Sequence, residues 1–407
     1  MYLDEMLAAQ KHGEAKGIAS ICSAHPNVLR RALQSTRYPL IEATCNQVNQ
    51  FGGYTGMTPA DFVAFVRRIA AEVDFPFDGI TLGGDHLGPH PWQHEPARDA
   101  MPKAEVLIAQ YTAAGFTKLH LDCSMRLADD SQGPLPKEVS AARAAALAKV
   151  AERSGQGKMS YVIGTEVPRP GGVAAEVEGT QVSSVEDTRE TIELHCKAFK
   201  DLGLEFAWER VIAVVVQPGV EFGDDFVLPY KPEAAAELST FIAGQLMVYE
   251  AHSTDYQSPE ALKSLVRDHF AILKVGPALT FAYREAIFAL AAIEDHCVPA
   301  EDRSNILQVL ENTMLAQPGY WNGYYRGTNE EQAFKRKFSL SDRVRYYWAQ
   351  PEVQNAVDRL LRNLSSKGLP YSLLSQFVGE TGLTARQVID LKIDRVLNAY
   401  FAACEGR

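Results

Sequence analysis

The chain has 407 residues and a formal net charge of −11, with acidic and basic residues mixed along the sequence. This length suffices for one large domain with an extension, or for two to three domains of ordinary size. The acidic balance argues against nucleic acid and against an anionic membrane surface as partners.

The six cysteines are scattered and form no CxxC spacing, which argues against a zinc knuckle and against a disulfide framework. Reduced thiols in a cytoplasm explain this pattern best. The N-terminus starts acidic and contains no apolar run long enough for a signal peptide. No later segment approaches the roughly 18 apolar residues of a membrane span. We therefore expect a soluble, cytoplasmic protein.

From Gly17 onward one pattern repeats eight times: a short apolar run with a polar tail, a glycine or proline signal, and a helical period. The apolar runs cover residues 17–24, 39–44, 78–90, 118–124, 159–167, 211–216, 246–251 and 271–275. Because parallel strands need crossover helices, these units predict an α/β fold, a TIM (β/α)8 barrel with its functional face at the strand carboxyl ends. A doubly wound open sheet is the alternative, but no G-x-G-x-x-G follows the first strand.

Beyond Pro299 the period becomes helical and no clear strand remains. We therefore predict a barrel over residues 1–298 and a C-terminal helical extension, packed on the barrel, over residues 299–407. Two aromatic stretches of the extension, 320–325 and 343–348, indicate either local core or a subunit interface.

The polar tails of the predicted strands meet at one mouth of the barrel. Charged groups there cost desolvation unless they are paired, so a ring of them favours a ligand, metal or substrate site over a purely structural rim. The ring consists of Glu42, Asn46, Gln47, Asp85, His86, Asp122, Glu166, Gln217, His252, Asp255 and Lys274. Any single member of the ring can still have a purely structural role. Lys274, for example, can be present simply to pair with Asp122 or Glu166 inside the barrel.

Histidines follow two separate strands, His86 after the third and His252 after the seventh. Neutral imidazole nitrogens suit zinc or another divalent metal, with a carboxylate or water completing the shell, although two histidines can equally be satisfied polar side chains. Asp85 projects differently from its neighbour His86 and can act as acid/base beside a metal-polarised carbonyl. The candidate catalytic residues are therefore Asp85 and Glu166, and no organic cofactor is indicated.

Glycine and hydroxyl residues follow the seventh and eighth strands, where TIM barrels commonly bind phosphate through backbone N–H groups. Ser253, Thr254, Gly276 and Thr280 thus predict a site for a phosphosugar, with ordinary helix capping as the equal alternative. The other candidate substrate-binding residues are Glu42, Asn46, Gln47, Gln217, Asp255 and Lys274.

One segment resembles a kinase P-loop, but it does not match the motif, and we therefore reject P-loop kinase chemistry. Residues 155–160 contain two glycines and a lysine, but Glu152 stands at the position of the early glycine and Met159 at that of the hydroxyl residue. The segment also precedes a strand instead of following one.

Five segments resemble the family of the non-catalytic subunit of class II D-tagatose-1,6-bisphosphate aldolase. They cover residues 42–57, 83–89, 164–168, 250–257 and 341–348, and include EATCNQVNQFGGYTGM, GGDHLGP, EAHSTDYQ and SDRVRYYW. The resemblance implies a TIM barrel distantly similar to the catalytic class II aldolases. It also implies a chaperone-like role beside a catalytic aldolase subunit, in tagatose 6-phosphate, galactitol or N-acetylgalactosamine breakdown. Members are often labelled tagatose-6-phosphate kinases, which the missing phosphate loop argues against.

The same resemblance permits a comparison with catalytic class II aldolases, in which a strand-three Asp-His pair supplies the acid/base and a metal ligand. Asp85 and His86 resemble that pair and His252 resembles the strand-seven ligand, but Gln217 lies in the region of the strand-six histidine. A third ligand would then come from Glu166, Gln217 or another carboxylate.

Two functional hypotheses follow from this comparison. The first is a non-catalytic subunit whose partner is a catalytic class II aldolase chain. The second is a stand-alone metal-dependent aldolase or 4-epimerase that acts by retro-aldol chemistry. Both involve a phosphorylated or free ketohexose and neither involves nucleic acid or membrane, while a homo-oligomer is compatible with either.

Overall fold

The computed structural model describes residues 2–155, 157–165, 181–365 and 368–406. Its centre is a closed barrel of eight parallel strands, in which each strand pairs with its neighbours in sequence and the eighth closes on the first. The barrel strands are β1 (Ile18–Ile21), β2 (Leu40–Thr44), β3 (Thr81–Leu87), β4 (Lys118–Leu121), β5 (Ser160–Ile163), β6 (Val211–Val215), β7 (Val248–Ala251) and β8 (Phe270–Val275). The predicted TIM barrel is confirmed in strand number, order and direction.

Nearly every barrel-strand residue is buried, as expected for parallel strands with helices on one face and a filled interior on the other. The third strand differs from the prediction at its start, because Phe77–Gly79 form a 3-10 helix and β3 begins only at Thr81. A short antiparallel hairpin, Glu221–Phe222 with Val227–Leu228, follows β6.

An N-terminal helix, α1 (Tyr2–Lys11), closes the end of the barrel opposite the strand tails. Its Leu3 and Met6 pack against Ile18 and Leu40, the first residues of β1 and β2. The helices that connect and follow the strands are α2 (Pro26–Ser35), α3 (Pro59–Glu72), α4 (Ala97–Ala114), α5 (Lys137–Gly155), α6 (Val185–Asp201), α7 (Glu205–Trp208), α8 (Ala236–Ala243), α9 (Pro259–Arg267) and α10 (Pro277–Cys297).

The C-terminal extension is helical, and its last helix packs along the barrel. Its helices are α11 (Ile306–Ala316), α12 (Asn329–Phe338), α13 (Pro351–Ser365), α14 (Tyr371–Val378) and α15 (Ala385–Glu405). Two ion pairs join α2 to α15, from Arg30 to Asp390 at 2.6 Å and from Arg31 to Asp394 at 2.7 Å. Further 3-10 helices are Gly53–Thr55, His90–Trp92, Ala300–Asp302, Pro318–Tyr320 and Arg343–Tyr346.

The aromatic stretches of the extension pack against loops at the mouth of the barrel. Tyr346 stacks on Tyr320 with ring centroids 4.9 Å apart and meets Tyr54, from the loop after β2, at 4.6 Å. Trp348 meets Tyr283 of α10 at 4.9 Å. The extension therefore covers part of the barrel mouth. Among the helices of the described chain, none has the length and apolar character that crossing a membrane requires.

Candidate functional site

Two lysines and two glutamates form a buried ion-pair network inside the barrel. Lys118 Nζ lies 2.6 Å from Glu42 Oε1 and 2.6 Å from Glu250 Oε2, and Lys274 contacts both glutamates as well. Burial lowers the pKa of Lys118, but Glu250 and Glu42 outweigh it, and the pKa is raised above its ordinary value. The pKa of Lys274 is also raised: burial lowers it, but nearby carboxylates outweigh burial, with Asp85 as the strongest of these charges. Both lysines are therefore held as cations.

The backbone of β3 makes room for this network. Gly83 pairs in register with Glu42, and a Cβ atom on Gly83 would lie 2.6 Å from the Glu42 side chain. A larger residue at position 83 would therefore push Glu42 away from Lys118.

Three imidazoles and a carboxylate converge beside the network. Asp85, His86, His120 and His252 offer ligand atoms that all lie within 4.8 Å of one another, and each residue is at most 4% exposed. Lys274 Nζ lies 2.5 Å from Asp85 Oδ1 and links the two groups. We call these four residues the imidazole cluster.

Asp85 and His86 both reach the cluster because β3 is irregular at this point. Neighbouring side chains of a regular strand point to opposite faces. Here the β3–β4 register shifts between Gly84 and Leu87, and His86 has a left-handed φ of 48°. Such a conformation costs a non-glycine residue roughly 1–3 kcal/mol and is concentrated at functional sites.

Carboxylates orient two of the imidazoles. Asp122 Oδ2 lies 2.8 Å from His86 Nδ1, and Glu250 Oε1 lies 2.9 Å from His252 Nε2. Burial lowers the pKa of His252 to about 3, whereas for His86 the charges of Asp85 and Asp122 outweigh burial and raise the pKa. A carboxylate on one ring nitrogen fixes the tautomer and leaves the other nitrogen for a metal.

His120 is the third imidazole and comes from within β4. Its Nδ1 atom lies 3.1 Å from Asp85 Oδ1 and 3.2 Å from the backbone N–H of His86, and it can serve only one of them: a protonated Nδ1 donates to Asp85, whereas an unprotonated Nδ1 accepts from His86. In the tautomer whose Nδ1–H donates to Asp85, the Nε2 lone pair is free. That Nε2 atom is buried and has no hydrogen-bond partner among the described residues. Because buried polar atoms are normally paired, this nitrogen is suited to receive a ligand.

The imidazole cluster fits a divalent metal. Three imidazoles form a donor set typical of catalytic zinc, and the Asp85 carboxylate lies beside them. The cluster and the adjacent ion-pair network together contain two ammonium groups and four carboxylates, those of Glu42, Asp85, Asp122 and Glu250. The net charge is therefore −2 when the imidazoles are neutral. A divalent cation would offset these buried charges. When bound, such an ion would polarise a substrate oxygen.

Sequence reasoning missed Lys118, His120 and Glu250, although the sequence carries a signal for them. Lys118, His120 and Asp122 occupy every second position along β4 and its tail, and Glu250 and His252 do so along β7 and its tail. Alternate residues of a strand share a face, so each of these belongs to the same interior as a recognised site residue.

The predicted partners of Lys274 need correction. Lys274 pairs with Glu42 and Asp85 and not with Asp122, which instead contacts an imidazole. Glu166, the other predicted partner and a predicted catalytic residue, lies outside the described residues.

The backbone amides predicted to bind phosphate after β8 already have an acceptor. Asp255 accepts hydrogen bonds from the backbone N–H groups of Gly276, at 3.0 Å, and Ala278, at 2.8 Å. Burial raises the pKa of Asp255 to about 6. The Asp255 carboxylate thus stands at the start of α10, where the prediction placed a phosphate.

The hydroxyl groups predicted for the same phosphate also bond within the protein. Thr280 Oγ1 donates to Asp342 Oδ2 of the extension at 2.6 Å, and Thr254 Oγ1 donates to the Lys274 carbonyl at 2.6 Å. Ser253 is partly exposed and has a left-handed φ of 53°. Thr254 and Thr280 therefore contribute to packing between strand tails and extension.

The remaining predicted residues brace loops at the mouth. Gln47 Oε1 accepts the Thr44 backbone N–H at 2.9 Å, and Gln217 Oε1 accepts the Gly219 backbone N–H at 2.8 Å. Asn46 is partly exposed beside Gln47. The third imidazole therefore comes from β4, and not from the region of Gln217 where the sequence comparison looked for a replacement ligand.

The fold and the imidazole cluster define a TIM barrel with a candidate divalent-metal site at the carboxyl ends of its strands. The sequence profile described as D-tagatose-1,6-bisphosphate aldolase subunit GatZ/KbaZ-like matches residues 3–405. The chain belongs to this family, and the resemblance inferred from the sequence is confirmed.

Individual relatives match over almost the full chain. The D-tagatose-1,6-bisphosphate aldolase subunit GatZ of Salmonella paratyphi B is 51% identical over 419 aligned positions, which cover 99% of both chains. The same values hold for GatZ of Salmonella typhimurium. A crystal structure described as a probable tagatose 6 phosphate kinase from Sinorhizobium meliloti 1021 is 48% identical with a TM-score of 0.88, and covers 96% of this chain and 100% of that one.

Proposed function

We propose that this chain is a non-catalytic, chaperone-like subunit of a class II D-tagatose-1,6-bisphosphate aldolase. It would act in tagatose 6-phosphate, galactitol or N-acetylgalactosamine breakdown. The observation that carries the proposal is the 51% identity over 99% of the chain to proteins named as aldolase subunits. The identity includes the helical extension. It is therefore more specific than a shared TIM-barrel fold, which many unrelated activities use. The partner is a catalytic class II aldolase chain and the substrate is a phosphorylated ketohexose.

Reconstitution with a catalytic aldolase chain tests this function. Cleavage of tagatose 1,6-bisphosphate and the half-life of activity at elevated temperature are measured with and without this chain. We expect higher activity, slower inactivation and co-elution of the two chains. An unrelated TIM barrel at equal concentration controls for protein crowding. Identical activity and half-life with and without this chain, in the absence of co-elution, would contradict the proposal.

The imidazole cluster favours a second candidate function, a metal-dependent aldolase or 4-epimerase for ketoses or ketose phosphates. Burial raises the pKa of Asp85, but His86 and Lys274 outweigh it and hold the carboxylate ionised. The carboxylate would take the proton of the C4 hydroxyl as the C3–C4 bond breaks, and the electron pair of that bond would pass to the fragment bearing the carbonyl. Re-addition to the opposite face of the aldehyde, with return of the proton, would invert C4.

Lys274 does not supply an amine nucleophile in this chemistry. Its ammonium group contacts Glu42, Asp85 and Glu250, and these carboxylates raise its pKa well above the ordinary value although burial lowers it. A Schiff-base lysine needs a lowered pKa. The role that fits Lys274 is electrostatic, holding the Asp85 carboxylate in place.

Turnover by the purified chain without a partner tests the second candidate. The chain is supplied with zinc or manganese and with a ketohexose or its 6-phosphate, and products are identified by NMR. We expect Asp85→Asn to abolish turnover and Asp78→Asn, which changes an exposed carboxylate before β3, to leave it unchanged. A wild-type chain that holds stoichiometric metal but gives neither cleavage nor C4 inversion would eliminate this candidate.

A further inference from the structure

A pocket of about 550 Å³ lies between the loops after β1 and β2 and the C-terminal extension. Cys22 and Gln47 line its barrel side, and Arg345 and Trp348 line its extension side. Its inner end adjoins the imidazole cluster, because the Cys22 thiol lies within 4.8 Å of a carboxylate oxygen of Asp85. This volume is in the range of small-molecule sites, roughly 300–1,000 Å³.

The charged groups that line the pocket are mainly cationic. The described lining residues include three arginines, Arg68, Arg345 and Arg386, but one carboxylate, that of Asp358. An excess of guanidinium groups around a concave site favours an anionic ligand.

The hydrogen-bond acceptors that the described residues offer to Arg345 are all neutral. It donates to the backbone carbonyls of Ser341 and Asp342 and to the Tyr346 hydroxyl, the last at 2.9 Å. Within the described part of the chain it forms no ion pair with a carboxylate. Asp342 and Asp255 act on Arg345 only at longer range, and its guanidinium group is partly exposed, so an anion from outside the chain would be a direct ion-pair partner, which the described residues do not supply.

A second, independent observation marks the same wall of the pocket. Trp348 is only 6% exposed, yet its indole Nε1 has no hydrogen-bond acceptor among the described residues. His25 also lines the pocket, and its buried Nδ1 has no hydrogen-bond partner in the described part of the chain. Buried polar atoms left without hydrogen-bond partners cost stability, which an incoming ligand rich in oxygen atoms and hydroxyl groups would recover.

We propose that this pocket binds the phosphate group of a phosphorylated ketose. Arg345 supplies the charge, the Trp348 N–H supplies a hydrogen bond, and the sugar extends past Cys22 toward Asp85. The ketose part of this assignment rests on the second candidate function, whereas phosphate binding itself does not require turnover. The extension thereby forms half of a ligand site, in a place different from the helix start that the sequence suggested.

Binding of inorganic phosphate to the full-length chain, measured by calorimetry, tests the proposal. We expect one phosphate per chain and tighter binding of a ketohexose 6-phosphate than of the same ketohexose without phosphate. Arg345→Met should weaken phosphate binding about 10-fold or more, since hydrogen bonds to charged groups are among the strong ones. Arg98→Met, which changes an exposed arginine that pairs with its neighbour Asp99, should leave binding unchanged.

Trp348→Phe provides a test that does not depend on the backbone contacts of Arg345. It removes the N–H and keeps an aromatic ring against Tyr283, and should weaken phosphate binding several-fold while the chain remains folded. His86→Ala should remove bound metal and spare phosphate binding, which separates this pocket from the metal-dependent function. A wild-type chain that binds no phosphate, or equal phosphate affinity in wild type and Trp348→Phe, would overturn the proposal.

Discussion

Replacing His120 by glutamine tests whether β4 supplies the third metal ligand. The cluster offers four ligand atoms within 4.8 Å of one another, and the variant leaves those of Asp85, His86 and His252. Losing a group that merely orients a ligand costs a metal site about 10–100-fold in affinity. Losing the ligand itself should therefore cost at least about 100-fold, or roughly 2.8 kcal/mol at about 1.4 kcal/mol for each factor of ten.

Zinc stoichiometry after dialysis, by elemental analysis, and zinc affinity, by competition with a chromogenic chelator, measure this effect. The matched control is His195→Gln, because His195 is also fully buried and its Nε2 has no partner among the residues that the structure describes, but its Nδ1 contacts the Thr191 carbonyl inside α6. Wild-type zinc affinity in His120→Gln would refute the reasoning and return the third ligand to Glu166 or Gln217. An equal loss in both variants would show that the effect is unfolding and not ligation.

Three further changes have defined outcomes. Lys118→Met removes the ammonium group 2.6 Å from Glu250 and leaves that carboxylate with the more distant Lys274, at 3.6 Å. It should lower the free energy of unfolding by about 3–5 kcal/mol, part of which Lys118→Met with Glu250→Gln should restore, as read from urea midpoints. Burial raises the pKa of Asp255 to about 6, so its favourable contribution is complete below the unfolded-state pKa and is lost as pH rises through 6. Asp255→Asn should therefore stabilise the chain by up to roughly 3 kcal/mol at pH 7 and hardly at all below pH 4, in unfolding measured at both pH values. Thr280→Val removes a hydrogen bond to Asp342 and should lower the unfolding temperature, as measured by differential scanning calorimetry.

The barrel was predictable from the sequence because each unit carries its own local signal. An apolar run with a polar tail and a helical period after it specify one strand and one helix, and eight of them leave few topologies. Asp85, His86 and His252 were found for the same reason, since they stand at the ends of such runs. His120 was not, because it lies inside β4, and its position follows from strand alternation instead of from a strand end.

The phosphate prediction shows where local reasoning loses its power. The start of a helix presents the same N–H groups to a phosphate and to a carboxylate of the chain itself. Which one occupies them depends on Asp255, which reaches across from the tail of β7. The Arg345 and Trp348 pocket could not be foreseen either, because it forms only when the extension packs on loops more than two hundred residues earlier in the sequence.

The energetics of the cluster bear on the choice between a supporting subunit and a metal-dependent enzyme. A purely structural interior would be stabilised by apolar side chains of similar volume, since buried ion pairs seldom improve stability over well-packed hydrophobic residues. This barrel instead buries two lysines with four carboxylates, holds His86 in a left-handed conformation and leaves His120 Nε2 without a partner in the described chain. Each of these features costs free energy that a cation and a substrate would offset. A supporting role explains the family relationship, but it does not explain these energetic costs, and turnover by the zinc-loaded chain without its partner separates the two functions.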